Sequence, residues 1–277
     1  MEIGNPNSGY NEDIISTIKK IQHPNGDYYP YISGQAIRRM ARDRLSDGGF
    51  QVSPKLKDSG KSKSPFSTTC DPVHYVDDDL FGFMNAKEKL SRHSPVKVSP
   101  AIGIFPYTYD RDLGIQNNSD IGKDHRMYET EVSSNWMVFS TLIELDRIGK
   151  GKEDVKDSSW EVSPEEKTRR LKGLMTAFLY LWGGGKQSRL LTNSSPVAIA
   201  ISLQTIKNPI WMGRVMVSDT GLLNDDVLEL TSRENSDIFQ YHDVGVDVSK
   251  VTSKKFHSSP KIVIEHLLDK VNDELWN

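Results

Sequence analysis

Residues 163–183 leave the chain little freedom in how it folds. Ser163 suits a helix N-cap, Pro164 fits the first helical position, and Glu166 completes a capping box. Leu171, Leu174, Met175, Phe178 and Trp182 then recur at helical spacing, and Gly183 stops the helix. A helix of this kind is held by a core that its apolar stripe can face. Only 36% of the 277 residues are hydrophobic and the mean hydropathy is −0.53, so that core is modest and long polar insertions surround it.

The flanking segments supply its partners. Residues 1–30 read as a polar loop, with turn chemistry at Asn5-Pro6-Asn7-Ser8-Gly9 and Pro24-Asn25-Gly26. A helix capped by Ser33 follows. Ala36, Ile37, Met40, Ala41 and Leu45 share one side of it, and Arg38, Arg39 and Arg42 fall within an arc of roughly 100° on the other. Residues 47–70 read as a basic insertion, with Lys55, Lys57, Lys61 and Lys63. Val96-Lys97-Val98 alternates like a strand, Ala101 to Phe105 continues it, and Trp136 to Leu145 is a strong β-branched and aromatic strand. The polar excursion over 108–128 is longer than an ordinary connection. Val197, Ile199, Ile201 and Leu203 alternate along another strand, with Gly213 to Val217 expected as its antiparallel partner. A last helix starts at Ser259-Pro260, with Ile264, Leu267, Leu268, Val271 and Leu275 on one face. Strands interspersed with helices and antiparallel pairs predict an α+β fold.

Several chemistries are excluded or weakened by spacing. One cysteine rules out a disulfide framework and a multi-cysteine zinc site. No apolar run reaches about 18 residues, and the N-terminus lacks a signal-peptide pattern, so a cytoplasmic chain without membrane partners is expected. Gly183-Gly184-Gly185-Lys186 is not a phosphate loop: Tyr180 stands where the first Gly belongs, and Gln187 replaces the Ser or Thr. The glycines still allow close backbone approach, and Lys186, Gln187, Ser188 and Arg189 are donors suited to phosphates; a plain helix C-cap explains the glycines equally. Asp77, Asp78 and Asp79 alternate in direction if extended, so a solvated turn or a protein contact is expected rather than a metal site. A Cys70–His74 nucleophile pair lacks a third orienting group. The net charge of −3 gives no global attraction to nucleic acid, so any binding must come from local placement.

Three segments in order carry a resemblance. Tyr29-Pro30-Tyr31-Ile32-Ser33-Gly34-Gln35-Ala36-Ile37-Arg38-Arg39, then Asp78-Asp79-Leu80-Phe81-Gly82-Phe83-Met84, then Gly183-Gly184-Gly185-Lys186-Gln187 before an apolar strand resemble the DevR branch of the Cas-seven family. These are CRISPR-associated backbone subunits of type I-B Cascade complexes. The resemblance implies an RRM-like (ferredoxin-like) palm made of 1–46, 76–107 and 129–277, a finger insertion at 47–75 and a thumb hairpin at 108–128. It implies binding to crRNA through Ser33, Gln35, Arg38, Arg39, Arg42 and Gly183 to Arg189, with Lys123, His125, Arg126 and Met127 as thumb contacts. Implied partners are a target DNA strand, further copies in a helical filament and other Cascade subunits. No cofactor, metal or catalytic residue is implied. The family's first core strand has only Met1 to Gly4 available here, so it is expected to be absent or short.

An enzymatic alternative shares the fold: a type III-like backbone subunit cleaving target RNA with a loop aspartate and a metal, for which Asp13, along with Glu12, is the candidate. A DNA-binding autoregulator would call for a helix-turn-helix, and none is visible in the sequence.

Overall fold

A computed structural model describes residues 2–3, 8–12, 15–54, 68–86, 88–116, 126–153, 158–184 and 191–271. Its widest sheet is antiparallel, with strands in the order Glu2–Ile3, Asn135–Val138, Ala101–Gly103, Tyr28–Ile32 and Lys20–Gln22. The first 30 residues are therefore not a loop: Ser8–Glu12, Ile15–Ile18, Lys20–Gln22 and Tyr28–Ile32 are all strands. Lys20–Gln22 is an edge strand exposed along its whole length, so it has no buried face to impose an alternating pattern. The short first strand is Glu2–Ile3.

The single strand expected from Trp136 to Leu145 is split into Asn135–Val138 and Thr141–Ile143. They face Ala101–Gly103 and Val96–Val98 respectively, and the register slips by one residue between them. Pro100, which has no N–H to donate, sits opposite the break. Ser99 and Ser140 bridge it instead: the Ser99 amide donates to the Ser140 carbonyl at 2.9 Å, and the Ser140 amide donates to Ser99 Oγ at 2.9 Å.

Asp110–Gln116 and Arg126–Val132 form a hairpin, which Ile15–Ile18 extends in parallel and Ser8–Glu12 completes. Buried Glu131 fixes its base, accepting from the Ile18 amide at 2.8 Å and the Tyr107 hydroxyl at 2.7 Å. Burial and that carboxylate push the Tyr107 hydroxyl well above the usual phenol range.

The helices follow their sequence signals closely. Helix α1 spans Gly34–Asp47; the Ser33 hydroxyl accepts from the Ala36 amide at 3.3 Å, and Ile37, Met40, Ala41 and Leu45 are buried. Helix α2 spans Val76–Phe81, and α3 spans Pro164–Leu179, capped by Ser163 accepting from the Glu166 amide. The α3 helix ends before Trp182, which stacks on the Arg44 guanidinium at 5.0 Å rather than extending the stripe. Helix α4 spans Asp225–Glu234 and α5 spans Pro260–Lys270. Helices α1, α3 and α5 share one core with Val96, Ala101, Met137 and Ile148. Each large aliphatic side chain buried there contributes roughly 1.5–3 kcal/mol. A second cluster joins Leu228 of α4 to Val197, Val217, Val244, Val246 and Val251.

Ala198–Gln204 pairs with Phe239–Val246, not with Gly213 to Val217, which forms turns and a single bridge from Val217 to Leu223. The true partner was hidden because His242, Asp243 and Gly245 interrupt its apolar pattern. Gly245 is required by packing: a Cβ there would lie 2.8 Å from Cα of Pro260, where α5 begins.

The aspartate run overturns a further expectation. Asp77, Asp78 and Asp79 lie in α2 and are 4%, 1% and 0% exposed, so they form neither a solvated turn nor a contact surface. Asp77 accepts from Arg42 Nε at 2.6 Å and the Ser53 amide at 2.7 Å. Asp78 accepts from the Thr69 hydroxyl at 3.1 Å and the Asp71 amide at 2.9 Å. Asp79 accepts from Arg92 Nη2 at 2.5 Å, Arg170 Nη1 at 2.8 Å and the Gly149 amide at 2.9 Å. Removing the charge of Asp79 would leave buried Arg92 without its carboxylate partner and buried Arg170 with Glu166 alone. Asp79→Asn is therefore expected to lose about 3–5 kcal/mol in urea unfolding. Asp78 meets only neutral donors, and burial pushes its carboxyl above the usual range. Asp78→Asn is expected to cost about 1 kcal/mol or less in the same measurement.

Candidate nucleic-acid interface

The three arginines on the outer arc of α1 have different surroundings. Arg39 pairs with Asp43 at 3.0 Å one turn on, and both are well exposed. Arg42 is committed to the interior, bonded to Asp77 and to the Ser53 carbonyl, so its predicted role on a free face is corrected: it links α1 to α2. Arg38 has no hydrogen-bond or ion-pair partner among the described residues, nor does Gln35, one turn before it. Ser33 is occupied as the cap. What α1 offers a ligand is thus an amide and a guanidinium three residues apart, on neighbouring positions of one helix face.

The glycines after α3 lie against this same helix. Gly183 has φ of +127° and Gly184 of +72°, conformations that side chains with a Cβ rarely adopt. A Cβ on either would come within 3.4 Å of the Met40 side chain, to Cγ for Gly183 and Cε for Gly184. Met40 is buried in α1 two residues beyond Arg38, so the structure brings the first and third sequence motifs together. The second motif, with buried Asp78 and Asp79, serves packing.

Gly185, Lys186, Gln187, Ser188 and Arg189 lie outside the described residues, as do Lys123 and His125. Of the hairpin candidates, Arg126 stands opposite Gln116, and Met127 stands opposite Ile115 with about half of its surface exposed. Two residues escaped the sequence reading. Tyr180 and Trp182 precede the turn and are 55% and 39% exposed. Trp182 matches the apolar stripe of α3 by spacing but lies at the surface, an aromatic of the kind on which a base can stack.

Among the described residues no group of three or more His, Cys, Asp or Glu side chains is placed to hold a metal ion. Cys70 and His74 do not form a reactive pair. The His74 ring bonds Asp71 at 2.7 Å, Cys70 Sγ donates to the Thr68 carbonyl, and burial pushes the thiol up. No described helix is long and apolar enough to cross a membrane.

Residues 7–214 match the family model described as CRISPR-associated negative auto-regulator DevR/Csa2. Among solved structures, a chain of a CRISPR RNA-guided surveillance complex in a pre-nicking state superposes with a TM-score of 0.56 at 14% identity, covering 98% of each chain. A chain of a second CRISPR RNA-guided surveillance complex gives 0.55 at 14%, again over 98% of both. At that identity the likeness is one of fold, a mixture of small sheets and few helices. No curated protein sequence matches the chain.

The contrast between Arg38 and Arg42 is measurable. Arg38→Ala is expected to leave the thermal midpoint unchanged and to lower the slope of log K against log[salt] for single-stranded RNA by about 0.7, one phosphate contact. Arg42→Ala is expected to lower the thermal midpoint instead, because it strands buried Asp77.

Proposed function

The chain belongs to the CRISPR-associated DevR/Csa2 family, and from that membership we propose that it is the guide-RNA-binding backbone subunit of a type I-B surveillance complex. Several copies assemble along one crRNA and present it for pairing with a target DNA strand, beside the other Cascade subunits. In this reading the antiparallel sheet with α1 and α3 is the RRM-like palm, and the Asp110–Gln116 and Arg126–Val132 hairpin is the thumb. The chain works in the cytoplasm.

The observation that carries the reading is the Gln35 and Arg38 pair, without side-chain partners among the described residues, on the helix that the Gly183–Gly184 turn packs against. A backbone subunit must hold any spacer sequence, so it has to grip phosphate and ribose and leave base edges open. A guanidinium, an amide and glycine backbone N–H groups do this without reading sequence. Asp77–Asp79, being buried, are not available as an acidic contact surface between copies.

We further propose that the chain is not the nuclease. Metal-assisted phosphodiester hydrolysis needs convergent carboxylates, and the described aspartate run is turned inward onto arginines and amides. Asp13, outside the described residues, is the one position that tests this. Two outcomes are expected. Filter binding with single-stranded RNAs of unrelated sequence should give affinities within a few-fold of each other and a steep fall with salt; a strong preference for one sequence would contradict the reading. Complementary RNA incubated with the assembled complex in Mg²⁺ or Mn²⁺ should stay intact, whereas regularly spaced cuts that vanish in Asp13→Ala would make the chain an RNA-cleaving subunit.

A further inference from the structure

Trp182 stands between two anchored residues. Leu181 before it is fully buried in the core that α1 shares, and Gly183 after it lies against Met40. The Trp182 indole meets the Arg44 guanidinium at 5.0 Å. Met40 and Arg44 are one turn apart on the same face of α1. The chain leaving α3 therefore crosses α1 over two successive turns, which gives the ring a fixed seat.

Arg44 is itself held. Its Nη2 pairs with Asp47 at 2.8 Å, while its Nε is buried and has no hydrogen-bond partner. A buried donor without an acceptor carries a desolvation cost. Here the guanidinium lies over the electron-rich face of the indole, which offsets that cost. Arg44 closes one face of the ring, so the 39% of Trp182 that stays exposed belongs to the other face and the ring edge. Tyr180 is the contrasting case: it is 55% exposed, and its side chain has no partner among the described residues. A ring free to change rotamer gives up that freedom on stacking, whereas a ring already fixed does not.

We propose that Trp182 is the stacking platform for one unpaired nucleobase, with Arg44 as the positioning residue that keeps the indole in place. This rests on the reading of the chain as an RNA-binding subunit, and adds a base contact to its phosphate and ribose contacts. Every base has a π-face, so stacking on an indole tolerates any sequence and leaves the Watson–Crick edge untouched. A subunit that serves any guide needs both properties. A base inside a duplex is covered above and below by its neighbours, so the platform selects single-stranded nucleic acid. The left-handed Gly183 and Gly184 follow the ring directly, which puts the base contact next to the backbone contact.

The test uses the full chain and two ligands of equal charge, octauridine and an octamer of abasic ribose phosphate, each end-labelled and followed by fluorescence anisotropy over a salt series. The unaltered chain is expected to bind octauridine about tenfold more tightly than the abasic octamer, with the same slope of log K against log[salt] for both. Trp182→Ala and Trp182→Leu should remove that difference by weakening octauridine alone, and Trp182→Phe should restore most of it. The leucine variant still covers Arg44 and so separates loss of the platform from a folding defect. Arg44→Met should weaken octauridine several-fold and leave the abasic octamer unchanged, whereas a merely structural role would weaken both. Equal binding of the two ligands by the unaltered chain overturns the proposal and leaves the backbone-binding reading standing, as does a base-dependent loss that follows Tyr180→Ala instead. Failure of the unaltered chain to bind either ligand overturns the backbone-binding reading, and the proposal with it.

Discussion

The fold is organised around one carboxylate. Asp79 is inaccessible to solvent and meets Arg92, Arg170 and the Gly149 amide, which come from a strand, from α3 and from the turn before Lys150–Glu153. Each arginine continues the network. Arg92 donates to the Asp79, Arg147 and Lys150 carbonyls, and Arg170 to Glu166 and to the Pro72 and Val73 carbonyls. Burial alone would drive the Arg92 guanidinium below its usual range, and Asp79 opposes that. A charge set of this kind adds little stability over apolar packing but makes any other arrangement of the same segments costly. Here it fixes how α2 and α3 approach, and Asp77 with Arg42 does the same for α1.

That arrangement places the candidate interface. With α1 held through Arg42 and α3 through Arg170, the turn that follows α3 lands on Met40. The left-handed backbone of Gly183 and Gly184 then lies beside the helix that carries Gln35 and Arg38. Two arginines four positions apart thus differ: Arg42 is bonded inward to Asp77, whereas Arg38 has no side-chain partner among the described residues.

Helix caps and apolar spacing are local signals, which is why α1, α3 and α5 could be read directly: Ser33, Ser163 and Ser259 each accept from an amide three residues on. Edge strands such as Lys20–Gln22 carry no such signal, and Phe239–Val246 is set by the close approach of α5 at Gly245 rather than by its own residues. For the site, residue type showed that Arg38, Arg39 and Arg42 share an arc but not which of them is bonded inward. The answer depends on Asp77, 35 residues away from Arg42, and on α2 being a helix rather than an extended turn. Trp182 shows the reverse case, a side chain matching a core stripe that ends one turn too soon.

The central claim, that α1 and the glycine turn together hold an RNA backbone, is tested most directly by ultraviolet cross-linking of the purified chain to single-stranded RNA, followed by mass spectrometry of the linked peptides. The account predicts cross-links in peptides spanning Gln35 to Arg42 and Leu179 to Arg189, with Tyr180 or Trp182 among the linked residues. Cross-links confined to other surfaces, with both of these peptides unmodified, would contradict it.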